Sequence, residues 1–107
     1  MLKISGNGIR LTRGDSTRFT IRLKARDVPD GTKALFTVKK SAWPHSRPLI
    51  EEEIPVVDNA VHVMLPPETT DIPSGDYVWD LRVLVDGDVF TPMEYAMFHV
   101  VEAIGYE

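Results

Sequence analysis

The sequence predicts an all-β domain, an antiparallel sandwich or barrel of about seven short strands. Three observations predict it. Apolar residues recur at every second position through most of the chain. Turn residues separate these runs: Pro29-Asp30-Gly31, Asp58-Asn59 and Asp86-Gly87. Only Pro67-Glu68-Thr69-Thr70-Asp71 suits a helical turn, with Pro67 fit for the first helical position and Pro73 ending it.

The elements follow in order. Ile9 and Leu11 alternate with polar neighbours. Residues 17–24 place Phe19, Ile21 and Leu23 on one face and Arg18, Thr20, Arg22 and Lys24 on the other, a half-buried strand. Residues 33–41 turn Phe36 and Val38 inward. Residues 49–55 set Ile50 and Ile54 against Glu51 and Glu53, and residues 60–65 bury Val61, Val63 and Leu65. Residues 75–85 form the longest run, with Tyr77, Trp79, Leu81, Val83 and Val85 on one face. Residues 89–101 close the series, with Phe98 and Val100 as the strongest inward positions, and Asp86-Gly87 is a two-residue hairpin signal.

Length and composition set outer bounds. A chain of 107 residues makes one domain, here residues 1–107. With 43% hydrophobic and 26% charged residues it has the balance of an ordinary soluble domain. The absence of cysteine excludes disulfides, thiolate catalysis and Cys-based metal sites, and fits a reducing compartment. A net charge of −4 repels phosphate backbones, so no nucleic-acid partner is expected. No apolar run approaches the ~20 residues of a membrane span, and the first residues lack a signal-peptide core, so no membrane partner is expected and the chain is expected to stay in the cytosol of the cell that makes it.

The segment Ile72-Pro73-Ser74-Gly75-Asp76-Tyr77-Val78-Trp79 sharpens the architecture. A Tyr at the start of a long strand, just after a corner, is the pattern of a tyrosine corner in an immunoglobulin-like sandwich. Tyr77 is expected to bury its ring and cap backbone in the corner before it.

Three segments carry a resemblance: Ile9-Arg10-Leu11-Thr12-Arg13-Gly14-Asp15-Ser16; Phe36-Thr37-Val38-Lys39-Lys40-Ser41; and Leu65-Pro66-Pro67-Glu68-Thr69-Thr70 running on to Pro73-Ser74-Gly75-Asp76-Tyr77-Val78-Trp79-Asp80-Leu81. Asp86-Gly87-Asp88-Val89-Phe90-Thr91-Pro92 continues the order. Over roughly residues 4–101 the chain resembles the N-terminal β-sandwich domain of baseplate upper proteins from phages and prophages of Firmicutes. The resemblance implies an immunoglobulin-like fold and a non-catalytic structural role in a tail or baseplate. It also implies protein–protein contacts with other tail or baseplate proteins or with copies of itself, and a place in the virion after assembly in the bacterial host cytoplasm. It implies no catalytic residues and no cofactor.

Other constellations are weak. His45, His62 and His99 lack metal-ligand spacing. Asp76, Asp80, Asp86 and Asp88 are read as the acidic, solvated end of a hairpin rather than a calcium loop. In Glu51-Glu52-Glu53, Glu51 and Glu53 face one way along a strand and Glu52 the other, so nothing pairs with Glu52 and the stretch is read as a solvated strand face. No metal site or enzyme is expected.

Trp43-Pro44-His45-Ser46-Arg47-Pro48 is the most function-like loop: Trp43 and Arg47 are the residue types of an interface hot spot, and the alternative is that Trp43 folds over the sheet edge. A carbohydrate- or host-receptor-binding module is the second functional expectation, with Trp43 and Tyr106 as its aromatics. Arg13-Gly14-Asp15-Ser16 resembles an integrin-binding tetrapeptide, but its Gly, Asp and Ser explain it as a turn.

Overall fold

The computed structural model describes residues 2–5, 8–24 and 26–102. Its elements are β1 (Lys3–Ser5), β2 (Gly8–Thr12), β3 (Thr17–Arg22), β4 (Lys33–Lys39), β5 (Pro48–Val57), β6 (Ala60–Leu65), α1 (Pro67–Thr70), β7 (Gly75–Val85) and β8 (Asp88–Val101). Period-two alternation decides burial. Along β7 the residues Tyr77, Trp79, Leu81, Val83 and Val85 are all buried, and their neighbours are half-buried or exposed. Phe36, Val38, Val61, Val63, Leu65, Phe98 and Val100 are buried as the alternation predicts.

The strands form one hydrogen-bonded order, β1-β2-β8-β7-β4-β5-β6-β3. The sheet curls back on itself, because Phe19 on β3 meets Phe36 on β4 at 5.9 Å and Trp79 on β7 at 6.5 Å, both edge to face. Phe36 also lies 6.3 Å from Phe98, so one aromatic cluster ties β3, β4, β7 and β8 together. β5 makes the curl possible. It pairs with β4 from Pro48 to Pro55, then with β6 at Val56 and Val57. Pro55, which has no N–H to give a ladder, sits where the partner changes.

The purely antiparallel expectation is corrected. β2 runs parallel to β8, with Ile9 beside Phe98 and Leu11 beside Val100. The reason is the turn after β2: it carries the chain across to β6, where β3 pairs antiparallel, so β2 and β3 never form a hairpin. β2 instead lies along β8, which runs in its own direction. The described residues form eight strands rather than about seven, because β1 has three residues, too few to show a period. Some ends shift too: β3 stops at Arg22, where Leu23 N turns to donate to Asn59 O at 2.9 Å, and α1 ends at Thr70.

Turn chemistry sets the registers. Asp58 and Asn59 both adopt positive φ, 51° and 57°, as do Asp86 and Gly87, 49° and 81°. These are the left-handed pairs that two-residue hairpins need. Asn59 adds a second function. Its side chain accepts from Val28 N at 2.7 Å and donates to the carbonyls of Leu23 and Arg26, so the β5–β6 turn holds the loop after β3.

At the start of β7, Tyr77 is 2% exposed and its hydroxyl donates to the carbonyl of Pro73. Lys40 lies over the outer side of the same ring, its Nζ 4.9 Å from the centroid. Replacing Tyr77 with Phe keeps the ring and removes the donor. The expected cost is about 1–2 kcal/mol in urea unfolding, with an unchanged m-value. A variant as stable as the parent contradicts a role for that hydroxyl.

Candidate functional site

Two regions gather the functional candidates: the turn at Arg13-Gly14-Asp15 and the loop at Trp43. The turn is built from its backbone outward. Gly14 has φ 80°, which a residue with a Cβ tolerates poorly. Asp15 N donates to Thr12 O at 3.1 Å, and Arg13 N donates to Val101 O at 2.7 Å, which joins the turn to the end of β8. Gly14 N donates to Thr70 O at 3.3 Å, and the fully buried Thr70 returns its hydroxyl to Asp15 O at 2.7 Å. The turn and α1 therefore bond reciprocally.

The Arg13 side chain is engaged as well. Nε donates to Asp71 Oδ1 at 2.8 Å and Nη1 to Glu102 Oε2 at 3.0 Å, so one guanidinium clamps the residue after α1 to the residue after β8. A ligand read through Arg and Asp needs both displayed; here the Arg joins three chain segments. Sequence reasoning missed Asp71 and Glu102. They lie 58 and 89 positions from Arg13, beyond any local pattern, and the only available signal is a long cation in a turn of small polar residues.

The second region lies between β4 and β5. Trp43 is 64% exposed and does not fold over the sheet. Its ring meets the His45 ring edge to face at 4.8 Å, and Ser46 N donates to Trp43 O at 2.9 Å, so the loop is ordered by its own bonds. Arg47 is exposed on the same loop. Beside the loop, Thr37, Lys39, Ala42, Val78, Asp80 and Thr91 line a groove of about 380 Å³ on the outer sheet face. The β7–β8 register shifts twice beside it, between Trp79 and Leu81 and between Leu81 and Val83. Each shift adds one residue on β8, a bulge that reshapes the surface. The structure thus brings Trp43 and Arg47 to one loop, and leaves Tyr77 in the core behind Lys40. Tyr106 lies outside the described residues.

The remaining polar groups are dispersed. His62 Nδ1 lies 3.0 Å from Thr20 Oγ1, and His99 Nδ1 lies 2.6 Å from Asp76 Oδ1 on a different strand pair. His45 belongs to the Trp43 loop. Asp86 occupies a hairpin turn, and Asp80 lines the groove. Among the described residues, no three His, Asp or Glu groups converge as a metal site would require. No helix of the described residues is long and apolar enough to cross a membrane. Neither a protein-family model nor a curated protein matches the chain.

The hydrogen bond from Arg13, followed by one from Ser74, holds the Glu102 carboxyl below the usual carboxylate range. A depressed folded value means that the stabilisation is complete above the unfolded value and is lost as pH falls through the folded one. Glu102→Gln is therefore expected to lower Tm at about pH 7, with the difference shrinking to nothing in strong acid. Thermal melts across that range check this; a gap that stays constant with pH excludes the ionic contact as its source.

Proposed function

We propose that the chain is an immunoglobulin-like sandwich acting as a non-catalytic structural or interaction module of a phage or prophage tail or baseplate. The strand neighbours support the fold reading. β4, β7 and β8 are contiguous like the C, F and G strands of that sandwich, and β3, β6 and the end of β5 are contiguous like B, E and D. Tyr77, at the start of β7 with its hydroxyl on the corner backbone, fits the tyrosine corner of such a fold. The ordered resemblance of residues 4–101 to baseplate upper proteins supports the tail reading.

The observation that carries an interaction role is Trp43. A large aromatic, 64% exposed on a loop ordered by its own bonds beside Arg47, contributes little to its own domain. It suits the buried centre of a contact with another protein. Such contacts would join the chain to other tail or baseplate proteins or to copies of itself, in a particle assembled in the bacterial host cytoplasm. A carbohydrate- or receptor-binding role draws on the same Trp43 and on the adjoining groove; it predicts signal on a glycan array that Trp43→Ala abolishes.

Particles induced from a host that encodes the chain, purified and analysed by mass spectrometry, are expected to contain it in fixed ratio to the major tail proteins. Absence from intact particles overturns the tail assignment. Trp43→Ala is expected to change stability by less than about 0.5 kcal/mol, as exposed substitutions do. It is expected to reduce incorporation sharply, since hot-spot truncations cost upward of about 2 kcal/mol of binding, roughly 30-fold in affinity.

A further inference from the structure

Among the described residues several lengths of strand have backbone on one side with no ladder partner, and two of them, on β3 and β5, carry charge of one sign on their exposed side chains. β3 pairs only with β6, from Thr17 opposite Leu65 to Arg22 opposite Ala60, and ends the sheet order. Residues 48–55 of β5 pair only with β4, because β6 takes up β5 no earlier than Val56. Among the described residues, no backbone hydrogen bond from a turn or loop falls on either stretch. A bare row of N–H and C=O groups is a template for another strand. Of the other open lengths, β1 is three residues long, β6 is open towards β5 only past Val61, and the β8 edge before Phe98 contains Pro92, which has no N–H to give.

The β3 and β5 edges are opposite in charge. β3 presents Arg18, Thr20 and Arg22 on its exposed side; β5 presents Leu49, Glu51 and Glu53 on its own. Glu53 is touched by Lys33 at 3.8 Å, whereas Arg18, Arg22 and Glu51 have no ion-pair partner among the described residues. The edges also open in opposite directions. β3 lies across β4 and β7, its free side turned away from β6, and the β5 stretch extends past β4 on the side away from β7.

We propose that the chain binds a second copy of itself head to tail, with the β3 edge of one copy extending the sheet at the β5 edge of the next. Charge selects this pairing over self-pairing of either edge. β3 against β3 sets Arg18 and Arg22 against the same cations, and β5 against β5 sets Glu51 and Glu53 against the same anions. Like charges directly across a strand pair are unfavourable and opposite charges favourable. Charges that block like-edge aggregation therefore admit the unlike edge. The interface is heterologous, so repetition gives a ring or a filament rather than a closed two-fold dimer. The proposal deepens the interaction-module reading above and rests on it.

Sedimentation of the purified chain from micromolar to millimolar concentration tests it. The mass is expected to rise with concentration at low salt and to fall back towards the monomer at about 1 M salt, where screening is strong. Arg18→Glu with Arg22→Glu, and separately Glu51→Lys with Glu53→Lys, are each expected to weaken association at least tenfold. The variant carrying all four changes is expected to recover it, because complementarity is restored with inverted sign. Thermal melts establish that each variant is folded; if a two-site variant does not melt cooperatively, the salt dependence of the parent decides. A parent that stays monomeric to millimolar concentration overturns the proposal, as does association unchanged in a two-site variant or absent in the folded four-site variant. Any of these outcomes leaves incorporation into particles as the separate test of the tail assignment.

Discussion

The crossing at Arg13-Gly14-Asp15 is the constraint on which the rest of the structure depends. Four residues after β2 ends, the chain has reached β3 against β6. Without that crossing β3 could not face β4 and β7, and Phe19 could not close the aromatic cluster over Phe36 and Trp79. The crossing is held by backbone and side chain together. Thr70 satisfies the carbonyl of Asp15, Val101 accepts from Arg13 N, and the guanidinium joins Asp71 to Glu102. Buried backbone polar groups need such partners, so the turn, α1 and the end of β8 are specified together.

The aromatic cluster and the polar pole divide the work. The cluster is apolar area brought together by alternation, worth most of the favourable free energy but weak in direction. The polar contacts at the ends are few and directional. Asn59 fixes the loop after β3 at one turn, and Tyr77 and Thr70 fix the corner before β7. Both the Asn59 and Asp86-Gly87 turns use left-handed backbone, which chooses hairpin register locally and leaves only the crossings to long-range contacts.

That division explains what was legible in the sequence. Strand faces and two-residue turns are local, so the burial of Tyr77 through Val85 and the Asp58-Asn59 and Asp86-Gly87 hairpins could be read directly. The parallel β2–β8 pair could not, because strand direction follows from a crossing that no period encodes. The partners of Arg13 were hidden for the same reason. Of the functional candidates, Trp43 and Arg47 were legible as residue types, but whether the indole pointed out or lay over the sheet required the loop's own hydrogen bonds. The opposed edges were half visible. Glu51-Glu52-Glu53 and the Arg18, Arg22 alternation stand in the sequence, but an edge exists only once the order of strands is known.

The parallel contact between β2 and β8 has a mechanical consequence. The two strands come from opposite ends of the chain, and they run side by side in the same direction from Ile9–Phe98 to Thr12–Val101. Tension that draws the beginning of β2 away from the end of β8 acts along both strands, so their ladder bonds are loaded in shear and share the force. An antiparallel pair pulled from its open end would instead unzip, each bond breaking in turn. The geometry that first marked a departure from a simple antiparallel sheet thus places a shear-resistant seam between β2 and β8.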